Sequence, residues 1–148
     1  MKKWMKKFKN ERGLTLVELL AVIVILAIVA IIAFVFIGGV IENSKKDAHI
    51  SNAQQIISAA KLHESTTGEL GLTIEQLKEQ NYLDQILDTW DKDEYNDLDA
   101  TVTKDANGGY KINNFKANDP TKCKKFTATE KELAEKGRKL CDVIDPEN

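Results

Sequence analysis

From Leu19 to Ile37 the chain runs through nineteen consecutive apolar residues without one polar side chain. As a helix rising about 1.5 Å per residue, this run spans roughly 28 Å, close to the roughly 30 Å hydrocarbon core of a bilayer. Leu14, Leu16 and Val17 extend it on one side, and Val40 and Ile41 extend it beyond Gly38-Gly39 on the other. A helix apolar on every face has no side to turn to water, so it enters a membrane rather than covering a soluble core. An ordinary secretory signal fits poorly. Such signals have an apolar region of about 7–15 residues and then a small-residue cleavage site. This run is longer, and Gly38-Gly39-Val40-Ile41 is a poor small-x-small site. A lipoprotein signal fails as well, because no cysteine closely follows the run.

Charge fixes the orientation. The chain of 148 residues carries a net charge of only -2, from 21 basic and 23 acidic side chains. Residues 1–13 hold six of the bases (Lys2, Lys3, Lys6, Lys7, Lys9, Arg12) and one acid, Glu11, leaving 15 bases, 22 acids and a charge of -7 for the remainder. A basic tip ahead of an apolar span stays in the cytoplasm. The acidic remainder argues against non-specific nucleic-acid binding by bulk charge. The length allows one modest domain with accessory segments.

Glu18 is the only ionisable residue between Gly13 and Glu42. An acid in a spanning helix costs about 2.5–3.5 kcal/mol at the centre and less near the end, which calls for a partner. Thr15-Leu16-Val17-Glu18 also fits a capping box, and an acid suits a helix N-terminus, so a helix-start role is the plain alternative. The wider stretch, Asn10-Glu11-Arg12-Gly13-Leu14-Thr15-Leu16-Val17-Glu18-Leu19-Leu20, resembles the prepilin leader of type IV pilins and of secretion and competence pseudopilins. That resemblance implies cleavage after Gly13 by a membrane-embedded aspartyl prepilin peptidase, and then N-methylation of Leu14, the new first residue. Leu14 departs mildly from the phenylalanine commonest there. The resemblance also implies that Glu18 pairs with the amine of Leu14 on a neighbouring copy and sets axial register in a homopolymer. Extraction from the membrane is implied to need a cytoplasmic assembly ATPase and a platform membrane protein. A carboxylate and an amine are each costly in lipid alone, and pairing offsets both.

Behind the leader (1–13) and the membrane or filament-core helix (14–41), a polar continuation of the same helix is expected over 42–67. Ile50, Ala53, Ile57 and Ala60 form its buried stripe, with Ile56 beside it. No proline interrupts 14–67. The weak point is Gly38-Gly39, where bending or melting would begin. A globular head is expected over 68–148. Thr66-Thr67-Gly68 ends the long helix, and Thr73 opens a short helix reaching Leu83, with Ile74, Leu77 and Tyr82 inward. Strands are expected at 98–103 and near Tyr110–Phe115, joined by a turn at Asp105-Ala106-Asn107-Gly108-Gly109. Thr129-Glu130-Lys131-Glu132 is a capping box starting a helix to about Leu140, with Leu133 and Leu140 inward. The fold expected is α+β and pilin-like, a long N-terminal helix on a small antiparallel sheet. Cys123 and Cys141 lie on the outer side by this topology, where a disulfide is the favoured state and two buried thiols the alternative.

Other constellations carry less. Asp88, Asp91, Asp93, Asp97 and Asp99 cluster with Glu94 and Asn96, and Asp91, Asp93 and Asp97 are the calcium candidates. The EF-hand pattern is absent, so a solvated acidic loop without a cofactor is the default. Trp90 and Tyr95 are expected to pack this loop onto the sheet. His49 and His63 have no nearby cysteine and do not form a zinc pattern. Lys122, Lys124, Lys125, Lys136, Arg138 and Lys139 make a basic patch where Phe126 could stack on DNA; a solvated face is the better reading. No catalytic motif is present, so the chain is read as structural rather than enzymatic. The resemblance implies a single-pass plasma-membrane precursor with a cytoplasmic N-terminus that becomes a surface filament. The resemblance leaves adhesion or motility pilus, secretion pseudopilus and DNA-uptake pilus open. A permanently anchored single-pass binding protein is the rival from another class.

Overall fold

The computed structural model describes the backbone of residues 8–96 and 99–142, and side chains from Thr15 onward. Two compact units meet between Ile41 and Glu42. Helix α1 runs Phe8–Thr67. Its start lies six residues before Leu14, where the sequence reading began it. Gly38 and Gly39 are both helical. Every described side chain from Thr15 to Ile41 is exposed, including Phe34 at 82%. A large apolar side chain left in water forgoes about 1.5–3 kcal/mol, so this stretch requires lipid or other apolar helices around it.

The second unit is built around the outer part of α1. Ile50, Ala53, Ile56, Ile57 and Ala60 are buried, as their three- and four-residue spacing requires. Gly68, at φ 79°, stops the helix in a backbone conformation that costs glycine little. Helix α2, Ile74–Glu79, opens on a capping box in which Thr73 and Gln76 bond reciprocally, and it buries Ile74 and Leu77. It is four residues shorter than its apolar pattern indicates, because Asn81 turns left-handed at φ 60° and redirects Tyr82 and Leu83.

Strands β1 (Thr101–Lys104), β2 (Tyr110–Phe115) and β3 (Phe126–Thr129) form an antiparallel sheet in the order β1-β2-β3. Leu98 and Asp97 lie outside the described residues. The Asp105–Gly109 turn closes with Asp105 Oδ1 accepting from the Asn107 and Gly109 amides, each at 2.8 Å. Between Ile112 and Phe115 the β2–β3 register shifts, with Asn114 at φ 57°. That bulge changes the phase of alternation, so Ile112 and Phe115, three apart, are both fully buried. Val102, Ile112, Phe115 and Ala128 join the α1 stripe in one core. β3 was not anticipated from sequence. It leads directly into α3, Glu130–Lys136, through the Thr129–Glu132 capping box. Gly137, at φ 51°, ends α3, and the chain tightens into a 3-10 turn, Gly137–Asp142, that buries Leu140 and Cys141. The helix expected to reach Leu140 is therefore two pieces.

Cys123 and Cys141 are joined by a disulfide across a separation of 18 residues. The Lys124 amide donates to the Cys141 carbonyl at 3.3 Å beside it. Together they pin the last described segment to the loop entering β3. Replacing both cysteines with serine should lower unfolding free energy by about 3 kcal/mol, the loop-closure term for a loop of this size. Denaturant titration of the detergent-solubilised full chain checks this; an unchanged midpoint would show that noncovalent packing alone holds the segment.

Candidate functional site

Two regions carry functional chemistry. The first is the start of α1. Gly13 and Leu14 lie within the helix, and Thr15-Leu16-Val17-Glu18 follows about two turns inside its Phe8 start. In the uncut chain Thr15 is thus not at a helix N-cap, and Glu18 is not a helix-start device there. Glu18 is exposed and is the one acid on the exposed apolar surface between Thr15 and Ile41. A carboxylate so placed is costly once lipid or apolar neighbours surround it, unless it is paired or takes up a proton.

The second region is where the head clasps α1 just past Ile41. Glu42 Oε1 accepts from Trp90 Nε1 at 3.0 Å, and the Lys45 carbonyl accepts from Thr89 Oγ1 at 3.1 Å. Asn52 donates to the Leu87 carbonyl and to the Tyr95 hydroxyl at 3.1 and 3.0 Å. His49 is the centre of this clasp. It is fully buried, its ring stacks on Phe115 at 4.5 Å, and Trp90, Tyr95 and Phe126 surround it. Its Nδ1 lies 2.8 Å from the Tyr95 hydroxyl, while Nε2 has no hydrogen-bond partner among the described residues. Burial depresses its pKa to about 3. Burial also raises the Tyr95 phenol.

This arrangement corrects one expectation and bears out another. Trp90 packs on α1 rather than on the sheet, whereas Tyr95 does meet the sheet at Phe115 of β2, and it joins the sheet to α1 through His49. Phe126 is 4% exposed, edge-on to Phe115, and is closed to stacking with any base. The acidic loop is organised from within. Asp88, 2% exposed, accepts from the Trp90 and Asn118 amides at 2.8 and 2.7 Å. Asp91 accepts from the Asp93 amide and the Asn118 side chain, both at 3.0 Å. Glu94 holds Lys78 and Gln85, and its pKa is lowered chiefly by Lys78. Asp97, the third calcium candidate, lies outside the described residues. Among the described residues no group of three or more His, Cys, Asp or Glu side chains could hold a metal ion.

A further cluster that sequence reasoning missed fastens the far end of α1. Glu64 pairs with Lys104 and accepts from the Tyr110 hydroxyl, and Lys61 pairs with Glu130 while lying 4.9 Å from the Tyr110 ring centre. Lys104, and then Tyr110, hold the Glu64 carboxyl below its usual range. His49 did leave a signal in the sequence: with Ala53, Ile56, Ala60 and His63 it continues a four-three-four-three spacing. Both histidines are buried core residues, His63 with its ring edge-on to Tyr82.

With this geometry in place, comparison with protein families bears on the first region. Residues 8–34 match the prokaryotic N-terminal methylation motif. The chain carries a type IV pilin-like prepilin leader. Gly13, Leu14, Glu18 and most of the apolar stretch lie inside the matched range. The match takes in the end of the leader and most of the apolar helix as one motif. No curated protein and no solved structure matches the chain.

His49 makes the head acid-sensitive. Its pKa falls from 6.5 to about 3 on folding, so the native state excludes a proton that the unfolded chain takes up. Its contribution is fully present above pH 6.5, declines as pH falls below 6.5, and is exhausted below about pH 3. Between pH 7 and 5 the loss should be about 2 kcal/mol, a window that lies above the carboxylate range. A His49→Gln variant, which cannot take up the proton, should be less stable at pH 7 but show a flatter slope across that window. Denaturant midpoints at pH 7, 6 and 5 measure this, and equal slopes would remove His49 as the source.

Proposed function

We propose that this protein is a filament subunit, made as a single-pass membrane prepilin, cut after Gly13 and polymerised through residues 14–41. The observation that supports it best is the methylation-motif match over residues 8–34. From Leu16 to the end of that range a single acid, Glu18, interrupts an otherwise apolar exposed surface. Cleavage removes six basic side chains and frees an amine on Leu14, four residues from Glu18. In the membrane the new terminus and Glu18 of one copy meet their opposites on neighbouring copies. Apolar packing supplies the bulk of the contact, and the ion pair fixes its register. Gly13 lies within α1, so the peptidase unwinds the helix locally, and glycine favours that because it costs a helix about 1 kcal/mol relative to alanine.

The precursor sits with its N-terminus in the cytoplasm, and the head faces outward, where its disulfide forms. A prepilin peptidase, an assembly ATPase and a platform membrane protein are the partners this life cycle requires. The filament is read as a type IV pilus or a related secretion or competence pseudopilus.

Intact mass of the protein isolated from its native host tests the processing step. The expected species lacks residues 1–13 and carries one methyl group on Leu14. Retention of Met1 in cells making the peptidase would leave a permanently anchored binding protein instead. A Glu18→Ala variant should insert normally, since it removes a cost of up to about 2.5–3.5 kcal/mol, yet fail to enter filaments beside wild-type subunits. Counting variant and wild-type subunits in sheared filaments measures this, and equal incorporation would refute the register role.

A further inference from the structure

The two segments joined by the disulfide are rich in lysine. No acid occurs from Pro120 to Thr129 or from Lys136 to Cys141, and these stretches hold Lys122, Lys124, Lys125, Lys136, Arg138 and Lys139. The Cys123–Cys141 bond draws them side by side, with its Cα atoms 4.3 Å apart. Lys136 is spent on Glu132 at 2.7 Å, and Arg138 on Asp47 at 3.2 Å. Lys122, Lys124, Lys125 and Lys139 are exposed, and none is in an ion pair among the described residues. The acids that flank them are engaged elsewhere. Asp119 accepts from the Thr121 amide and hydroxyl at 2.9 and 2.7 Å, and Asp142 pairs with Lys46 at 2.6 Å. The far end of α1 differs: Lys61 and Lys104 are both paired there, with Glu130 and Glu64.

We propose that this lysine cluster docks the head on the headgroups of an anionic bilayer. The inference rests on the membrane-precursor reading above and adds a contact outside the apolar stretch. Chain length places the cluster. Lys46 and Asp47, which hold Asp142 and Arg138, follow Ile41 by five and six residues in α1. At the helical rise that is about 7.5–9 Å past the apolar stretch, and the headgroup layer on each side of a bilayer is roughly 5–8 Å deep. Salt screens charge over roughly 10 Å at 0.1 M, so lysines carried beside Arg138 and Cys141 feel the field of lipid phosphates. Trp90 agrees. Its indole donates to Glu42, the first residue past Ile41, and tryptophan favours the headgroup level, where ring and N–H are both accommodated. A bilayer suits the cluster better than a nucleic acid does. The chain beyond residue 13 carries -7, which turns a dissolved polyanion away, whereas the anchor holds headgroups nearby at high effective concentration.

The test uses the full-length chain in lipid nanodiscs, of phosphatidylglycerol or of phosphatidylcholine. Acetylation of each lysine by a water-soluble reagent is timed by peptide mass spectrometry. Lys122, Lys124, Lys125 and Lys139 should react about fivefold or more slowly in phosphatidylglycerol, and high salt should restore the phosphatidylcholine rates. Lys131 on α3, its side chain 80% exposed, should react alike in both. A Lys124→Glu/Lys139→Glu variant should lose the protection of Lys122 and Lys125. The wild-type comparison stands even where that variant misfolds. Equal wild-type rates in the two lipids overturn the proposal. Protection that survives in the double variant does so too, since it would reflect nearness to the surface and not docking. A double-stranded oligonucleotide is added to the phosphatidylcholine discs as a further arm. Protection by it, with none by phosphatidylglycerol, assigns the cluster to nucleic acid and overturns the proposal while leaving the membrane reading intact. A chain that enters neither disc overturns both.

Discussion

Nothing in the described chain covers the side chains from Thr15 to Ile41. That uncovered length is the constraint on which the rest depends, because a surface so apolar tolerates only lipid or more apolar surface. Lipid and a bundle of like helices offer similar relief from water, so the hydrophobic effect does not choose strongly between them. Choice then falls to close packing and to the rare polar group. On the filament reading Glu18 is that group: a small cost in the membrane becomes a directional contact once a free amine is available. The basic leader sets the orientation and, while present, withholds the amine.

The head solves a different problem, holding a short three-stranded sheet against one face of a helix. Its fastenings sit at both ends of the outer part of α1. Near Ile41, His49 stacks among Phe115, Trp90, Tyr95 and Phe126, and Glu42, Lys45 and Asn52 bond the loop between α2 and β1. Near Thr67, Glu64, Lys104, Tyr110, Lys61 and Glu130 form a mixed ionic and aromatic cluster. The first is centred on the buried ring of His49, and the second on ion pairs closer to the surface. Acid acts first on the buried fastening, because excluding a proton from His49 stabilises the head only while the solution is poor in protons. The open side of α1 between these fastenings is left uncharged.

Each feature fixed by local chemistry was legible in the residues. The apolar run, the basic tip, the lone Glu18 and the α1 stripe follow from composition and from periods of three and four. The capping boxes at Thr73 and Thr129 and the Asp105–Gly109 turn follow from side chains that bond their own backbone. What escaped was non-local. β3 is four residues long and exists because β2 lies beside it. The Asn114 bulge, which brings Phe115 into the core beside Ile112, is a consequence of that pairing. Sequence likewise placed Trp90 on the sheet, since an aromatic does not show its partner until the chain has folded.

The sequence by itself thus determined that this chain has one run long and apolar enough to cross a membrane, a basic tip ahead of it, a prepilin-like leader motif, and an α1 stripe that turns inward. These depend on side-chain chemistry repeated along a few turns. Tertiary structure alone decided which rings surround the two buried histidines, that carboxylates in the acidic loop are bonded to backbone and Asn118, and that one face of α1 stays open. Burial and pairing there depend on segments tens of residues apart, and no local pattern encodes which of them meet.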